Sequence, residues 1–289
     1  MRIEKFVLNK EKKTDVTAYL GENYRVIGKR KKSPAVLICP GGGFFSLSER
    51  EGEPVAIAFL KEGIQAFVLH YTIANPEEGI VNVMEEGLAD CAQAISLIQS
   101  HAEEFGIDST QIIMLGFSAG AYLTAMYSNR YHEKWLQDKV NTGGELCKLK
   151  AAVLCYPACD IELICAYKDS PTCEEGIRRT LEKVNLSLCG EGNPSIEMQK
   201  KYSPVNYINA DTCPTFIWHT SDDELVSVGN SLSYAGALSK KGIAYEMHIF
   251  QSGVHGMSLC SEYTAAKAEE INSHCAVWFE LLLRWLCIK

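Results

Sequence analysis

Residues 112–126, Ile112-Ile113-Met114-Leu115-Gly116-Phe117-Ser118-Ala119-Gly120-Ala121-Tyr122-Leu123-Thr124-Ala125-Met126, hold the pattern that decides the fold. A continuous apolar run enters Gly-x-Ser-x-Gly, and a helix-like stretch follows. That order reads strand, sharp turn, helix. A serine on such a turn is lifted clear of the sheet, with its Oγ exposed above a helix N-terminus. Small residues are required at 116 and 120, where strand and helix pass closely. Gly, Ser and Ala are common, so the five central residues alone prove little. Their flanks give them weight, and the rest of the chain must supply a base, an acid and donors for an oxyanion.

The surrounding sequence repeats the same rhythm. Residues 35–39 (Ala-Val-Leu-Ile-Cys) and 65–70 (Gln-Ala-Phe-Val-Leu-His) are short apolar runs of the kind that form buried parallel strands. Residues 149–156, 216–219 and 246–250 are three more. Between them lie helical patterns at 53–62, with Pro54 in its first turn, at 83–105, closed by Gly106, and at 119–129. Residues 5–8 and 15–20 are strand candidates suited to an antiparallel hairpin or edge, and 276–288 reads as a packed terminal helix. Alternating strands and amphipathic helices imply right-handed crossovers and a mostly parallel sheet. The stretch 158–212 breaks the rhythm, apart from a helical pattern at 174–188. An insertion after a strand's C-terminal end covers the ligand crevice or packs as decoration. A cap is expected, with Ile161, Leu163, Ile164 and Tyr167 as candidate pocket walls.

Composition narrows the function. The chain has 289 residues, 47% hydrophobic and 22% charged, which suits one globular α/β domain spanning 1–289. A net charge of −8 argues against nucleic acid or an anionic membrane as main partner. No run reaches the roughly 20 apolar residues of a membrane span, and the first residues lack a signal-peptide core. The twelve cysteines are dispersed, without a CxxC pair or zinc-ligand spacing, so no metal and no cofactor is expected. Reduced thiols in a cytoplasmic protein are the expectation, with many cysteines serving as small hydrophobes.

Three further features complete a site around Ser118. A serine hydroxyl needs a base. His255, in Gln-Ser-Gly-Val-His-Gly at 251–256, follows a strand and is flanked by glycines, as a loop at a strand's C-terminal end would be. Among the other histidines, His101 and His132 sit in polar helical stretches and His248 inside a strand. His70 and His219 end strands and could line the crevice, while His274 falls in the terminal helix. The acid should come from the loop His219-Thr-Ser-Asp-Asp-Glu-Leu-Val226, where Asp222, Asp223 and Glu224 compete. A plain helix cap is the alternative use of such a run. Lastly, Pro40-Gly41-Gly42-Gly43-Phe44-Phe45 follows the first buried strand, and consecutive glycines let backbone N–H groups face an oxyanion. No Gly-Lys-Ser/Thr follows to make a phosphate loop. Gly42, Gly43 and Ala119 are the expected oxyanion donors, and the order Ser, Asp, His matches one of three known triad orders.

With these residues placed, the chain resembles the α/β-hydrolase esterases over about residues 17–285, and within them the acetyl-xylan-esterase-like, xylanase-B-like branch near the hormone-sensitive-lipase and feruloyl-esterase groups. The matching stretches are Cys39-Pro-Gly-Gly-Gly-Phe44, Glu51-Gly-Glu-Pro-Val-Ala56, Val68-Leu-His-Tyr71, Gly106-Ile-Asp108, Gly116–Gly120, Phe216-Ile-Trp-His-Thr220 and His255-Gly256. The resemblance implies Ser118 as nucleophile, His255 as base and Asp223 as acid. It favours Asp223 over Asp222 because the acid of related enzymes lies four residues after the strand-end His and three before a Val, here His219 and Val226. Phe44, Phe45 and Tyr71 are expected against the substrate. Pro40, Thr72 and Ala121-Tyr122 depart from residues frequent in the group (His, Arg and Gly-His). The expected reaction is hydrolysis of short-chain acyl esters, with O-acetyl groups on sugars as one class, and a small-molecule ester as partner. A homodimer stays open. A small peptidase of the prolyl-oligopeptidase type and a silent binding protein are the competing readings.

Overall fold

The computed structural model describes residues 1–22, 32–140, 146 and 148–287. Eight strands form one sheet in the order β1-β2-β4-β3-β5-β6-β7-β8. Strands β1 (Arg2–Asn9) and β2 (Thr14–Leu20) make the antiparallel hairpin expected at one edge, and β2 pairs antiparallel with β4 (Gln65–His70). From there the sheet is parallel through β3 (Ser33–Cys39), β5 (Ile107–Phe117), β6 (Ala151–Cys155), β7 (Thr215–Thr220) and β8 (Tyr245–Phe250).

Side chains along the central strands alternate between two cores, as the period-2 geometry of a strand requires. On β3, Ala35, Leu37 and Cys39 face one core, while Val36 and Ile38 face the other. On β5, Ile112 and Met114 oppose Ile113, Leu115 and Phe117 in the same way. The first core is covered by α2 (Met84–Ser100), α3 (Ala119–Arg130) and α4 (Lys134–Val140). Helices α1 (Glu53–Lys61) and α9 (Trp278–Trp285) cover the second, through Val55, Ala56, Phe59, Trp278, Leu282 and Leu283. The strands are therefore apolar on both faces, and each fully buried Val, Leu, Ile or Phe is worth about 1.5–3 kcal/mol against exposure. The terminal helix is shorter than expected. It runs from Trp278, after a single tight turn at Cys275–Val277, and His274 lies ahead of it.

The long segment between β6 and β7 is mostly helical. It carries α5 (Ile161–Lys168), α6 (Glu175–Cys189) and α7 (Ile196–Lys201). Only α6 was legible from its apolar spacing. Helices α5 and α7 are short and start on side-chain caps, Asp160 accepting from Leu163 N–H and Ser195 from Met198 N–H. Helix α8 (Gly229–Lys240) follows β7 and packs Tyr234, Ala235 and Leu238 onto Leu154 and Ile217.

The register of the parallel strands brings their C-terminal ends level. Cys39 pairs with Gly116, Phe117 with Cys155, Cys155 with Trp218, and Thr220 with Phe250. The loops leaving β3, β5, β6, β7 and β8 thus gather at one edge, the usual ligand side of an open α/β sheet. No disulfide joins the described cysteines, and all of those except Cys287 are buried.

Candidate active site

Ser118 sits at the bend between β5 and α3 with φ 51 and ψ −113, backbone angles that a residue with a Cβ rarely adopts. The bend is held by its surroundings. Ser118 N–H donates to the Cys155 carbonyl at 2.9 Å, and Ser118 carbonyl accepts the Tyr122 N–H at 3.0 Å. The glycines are obligatory for space. A Cβ at 116 would lie 2.1 Å from the Gly120 carbonyl oxygen, and one at 120 would lie 1.9 Å from that of Cys39. Helix α3 can cross the strand ends at this distance only because both side chains are missing.

His255, Asp223 and Ser118 form one hydrogen-bonded chain. His255 Nε2 is 2.8 Å from Ser118 Oγ, and His255 Nδ1 is 2.7 Å from Asp223 Oδ2. Asp223 is buried, and its second oxygen accepts the N–H groups of Leu225 and Val226, each at 2.9 Å. Those bonds fix the carboxylate's orientation. Burial alone would push the Asp223 carboxyl up, but the imidazole of His255 and the hydrogen bonds from His219 and His255 hold it well below the usual range. For His255, burial opposes the charged ring, yet Asp223 wins and raises its pKa, with Glu51 adding to the effect. Asp222, the neighbouring candidate, points elsewhere: it is exposed and accepts from Ser252 Oγ and Gly253 N–H.

His219 is not a crevice residue. It is wholly buried and acts behind the site, with Nε2 3.1 Å from Asp223 Oδ2 and 2.9 Å from the Val226 carbonyl. Both neighbours are acceptors, so Nε2 carries the proton, and Nδ1 accepts from Ser231 Oγ at 2.8 Å. His70 is likewise removed from the crevice, paired with Asp15 at 2.7 Å on β2.

The glycine loop closes over the same cavity. Gly42, at φ 129, turns the chain so that its carbonyl accepts from Phe45 N–H, Ser46 N–H and Ser46 Oγ. Among the described residues, no protein group accepts a hydrogen bond from the N–H of Gly42, Gly43 or Ala119. All three residues line a cavity of about 290 Å³ together with Ser118 and His255. Phe44 and Phe45 line it too. Tyr71 does not. It is buried, and its hydroxyl donates to the Pro40 carbonyl at 2.7 Å, so it braces the glycine loop from below. One part of the remaining wall is apolar, with Ala158, Ile164, Leu181, Val184, Leu225 and Val226, and the other part carries polar and charged groups, Ser46, Ser48, Arg50, Glu51 and Thr180. Of the four wall candidates in the 158–212 segment only Ile164 reaches the cavity; Ile161 is core, Leu163 is largely exposed and Tyr167 packs against the core.

One residue escaped the sequence reading of roles. Glu51 is buried, and its carboxylate accepts Gly41 N–H at 2.8 Å and the Tyr156 hydroxyl at 2.6 Å. Its own stretch, Ser48-Glu-Arg-Glu-Gly-Glu53, looks like an acidic helix start, so nothing local sets Glu51 apart from Glu49. Among the described residues no group of three or more His, Cys, Asp or Glu could hold a metal ion, and no helix is long and apolar enough to cross a membrane.

A sequence model of the BD-FAE family matches residues 24–238, more than half of the chain. The chain belongs to the BD-FAE family. It is similar to two curated bacterial proteins and to a solved one. It is 27% identical over 232 residues to endo-1,4-beta-xylanase B of Butyrivibrio fibrisolvens, covering 80% of this chain and 33% of that protein. It is 25% identical over 258 residues to an acetylxylan esterase of Xylanibacter ruminicola, covering 88% of this chain and 46% of that one. The chain thus spans a third to a half of the length of these curated relatives. The crystal structure of the carboxylesterase Cest-2923 from Lactobacillus plantarum superposes with a TM-score of 0.82 at 27% identity, covering 99% of this chain and 97% of that one. The fold of this BD-FAE member is that of the α/β-hydrolases, as the resemblance implied.

Proposed function

We propose that this chain is a serine carboxylesterase. The observation that carries the reading is the continuous chain Ser118 Oγ, His255, Asp223, with links of 2.8 and 2.7 Å, opening on a cavity. Ser118 attacks an ester carbonyl while His255 takes its proton through Nε2. Asp223 holds the imidazole by Nδ1, keeps that tautomer and stabilises the imidazolium. The developing oxyanion is met by the N–H groups of Gly42, Gly43 and Ala119, the last at the positive end of α3. His255 then protonates the leaving alcohol, and water repeats the sequence on the acyl-enzyme.

A space of about 290 Å³ with an aliphatic and phenyl part formed by Phe44, Phe45, Ile164, Leu181 and Val184 suits a short acyl group, and the polar part with Ser46, Ser48 and Arg50 suits the alcohol. The names of the relatives, an acetylxylan esterase and a carboxylesterase, favour O-acetyl groups on sugars as substrates. Glycoside hydrolysis is not carried over from the xylanase, of which the match covers 33%. The 158–212 segment serves as the cap, since α5 and α6 supply Ile164, Leu181 and Val184 to the wall. Free, buried cysteines fit a cytoplasmic setting. The test is hydrolysis of p-nitrophenyl acetate and of an acetylated xylo-oligosaccharide, with stoichiometric labelling of Ser118 by a fluorophosphonate. Turnover and labelling that both vanish in Ser118→Ala are expected. Labelling elsewhere, or turnover that survives, would sink the reading.

A further inference from the structure

Glu51 is a buried carboxyl, and burying such a group is costly unless it is hydrogen-bonded. Its carboxylate touches two different strand-end loops. Oε2 takes Gly41 N–H, at the root of the glycine loop after β3, and Oε1 takes the hydroxyl of Tyr156, the residue after β6. Tyr156 carries the connection further. Its hydroxyl accepts Ser258 N–H at 3.0 Å, and its ring meets the His255 ring edge-to-face at 5.1 Å. Tyr156 itself is held at φ 40, in the left-handed region. Gly41 is a tight fit: a Cβ there would lie 2.8 Å from Glu51 Oε2 and 3.2 Å from Ser118 Cβ. The neighbouring Arg50 ties the same segment to the His255 loop through Gly256 carbonyl, Thr264 carbonyl and Glu270.

We propose that Glu51 is a positioning residue of the Ser118–His255 site: its buried carboxylate clamps the glycine loop and the His255 loop into one register through Gly41 and Tyr156, and supplies a second negative charge, beside Asp223, to the His255 imidazole. The proposal rests on the esterase reading for its kinetic consequences. Burial raises the Glu51 carboxyl pKa, and Tyr156, Gly41, His255 and Arg50 reduce that rise without cancelling it. The form the geometry fits is the carboxylate, both of whose oxygens accept, from Gly41 N–H and from the Tyr156 hydroxyl. The other charged groups around His255 are Arg50, on the cavity side, and Asp222, Glu224, Lys267 and Glu269 along its outer flank. Glu51 differs from those four flanking groups in being buried and bonded to the oxyanion loop.

Glu51→Gln is the test. An amide has one acceptor oxygen where the carboxylate has two, so it cannot accept from both: with its oxygen on Gly41 N–H its NH2 faces the Tyr156 hydroxyl, which must then accept and lose the acceptor for its own proton. We expect kcat to fall about 10²-fold with KM little changed, because a loop shifted by under an ångström misplaces donors used only in the transition state. The variant also removes a negative charge near His255, so the imidazolium is less favoured and the acid limb of kcat/KM moves to lower pH. A purely structural role would not move that limb. Unchanged kcat, or a kcat loss with an unmoved limb, overturns the proposal. The His255 titration, followed by NMR of its imidazole carbons in wild type and Glu51→Gln, gives the same shift without any substrate. Wild type that hydrolyses no ester but shows this shift would fell the esterase reading and leave the role of Glu51 standing. Should Glu51→Gln not fold, Tyr156→Phe keeps the carboxylate and removes one donor; a tenfold or greater loss of kcat is expected, and full kcat overturns the proposal.

Discussion

Two regions meet over Ser118, and they are built differently. The floor consists of loops leaving β3, β5, β6, β7 and β8. It is made of backbone, glycines and short polar side chains, and its atoms are tied by hydrogen bonds of 2.6–3.1 Å through Asp223, His255, Glu51 and Tyr156. The roof comes from the 158–212 segment and is mainly apolar, Ala158, Ile164, Leu181 and Val184 beside the single hydroxyl of Thr180, and its apolar side chains are held by packing. Directional bonds fix atoms to fractions of an ångström, whereas dispersion contacts tolerate exchange of similar volumes. The floor is therefore suited to chemistry and the roof to choice of substrate.

The comparison breaks first at the crossing of α3 over β3. Gly120→Ala places a Cβ 1.9 Å from the Cys39 carbonyl, so folded protein should be lost or the melting midpoint fall sharply, by at least about 3 kcal/mol of stability. A circular-dichroism melt matching wild type would show that the crossing is not as tight as the structure has it. Ser118→Ala comes next: ester turnover should drop at least about 10³-fold with the melt barely altered. Asp223→Asn should cost about 10³–10⁴ in kcat, while Asp222→Asn, whose bonds run to Ser252 and Gly253, should stay near wild type. Equal losses from both would erase the distinction between the neighbours.

The pH profile probes the floor more gently. In the proposed mechanism His255 must be neutral to accept the serine proton, and Asp223 raises its pKa above the ordinary 6.5. The acid limb of kcat/KM should accordingly lie above that value, with activity climbing as pH rises through it and persisting on the alkaline side. An acid limb below 6.5 would mean that Asp223 does not stabilise the imidazolium. The smallest effect belongs to the roof. Leu181→Ala and Val184→Ala should shift the preference from acetate toward butyrate or hexanoate esters by about tenfold, the value of a methylene or two in an apolar pocket. Ratios of kcat/KM across a chain-length series measure this, and a ratio untouched by either change would remove α6 from the pocket.

The same division explains what could be read beforehand. Floor residues announce themselves locally: Gly116, Ser118 and Gly120 lie within five positions, and Gly41–Gly43 directly follow a strand. Their spacing is set by one turn each, and a turn is short-range information. Asp223 and His255 could be proposed because each follows a strand recognisable in the sequence, β7 buried throughout and β8 at the sheet edge with only Phe250 buried. Glu51 was not, because its partners Gly41 and Tyr156 are 10 and 105 positions away and its neighbours are also acids. Tyr71, expected against the substrate, directly follows β4, and its hydroxyl turns down to the Pro40 carbonyl. In the roof, α5 and α7 have too few residues to show a helical period, and which of their side chains reach the cavity depends on how three helices pack together.

The backbone of Ser118 sets the protein against itself. At φ 51 and ψ −113 the residue occupies a conformation that costs on the order of 1–3 kcal/mol for any side chain and far less for glycine. The most comfortable sequence at this bend is thus one without the hydroxyl proposed as nucleophile. Ser118→Gly should melt above Ser118→Ala, and both would be inert. Thermal selection acting alone on this chain would drift toward disarming it, so any programme that hardens the protein has to hold position 118 fixed and look for its gains elsewhere.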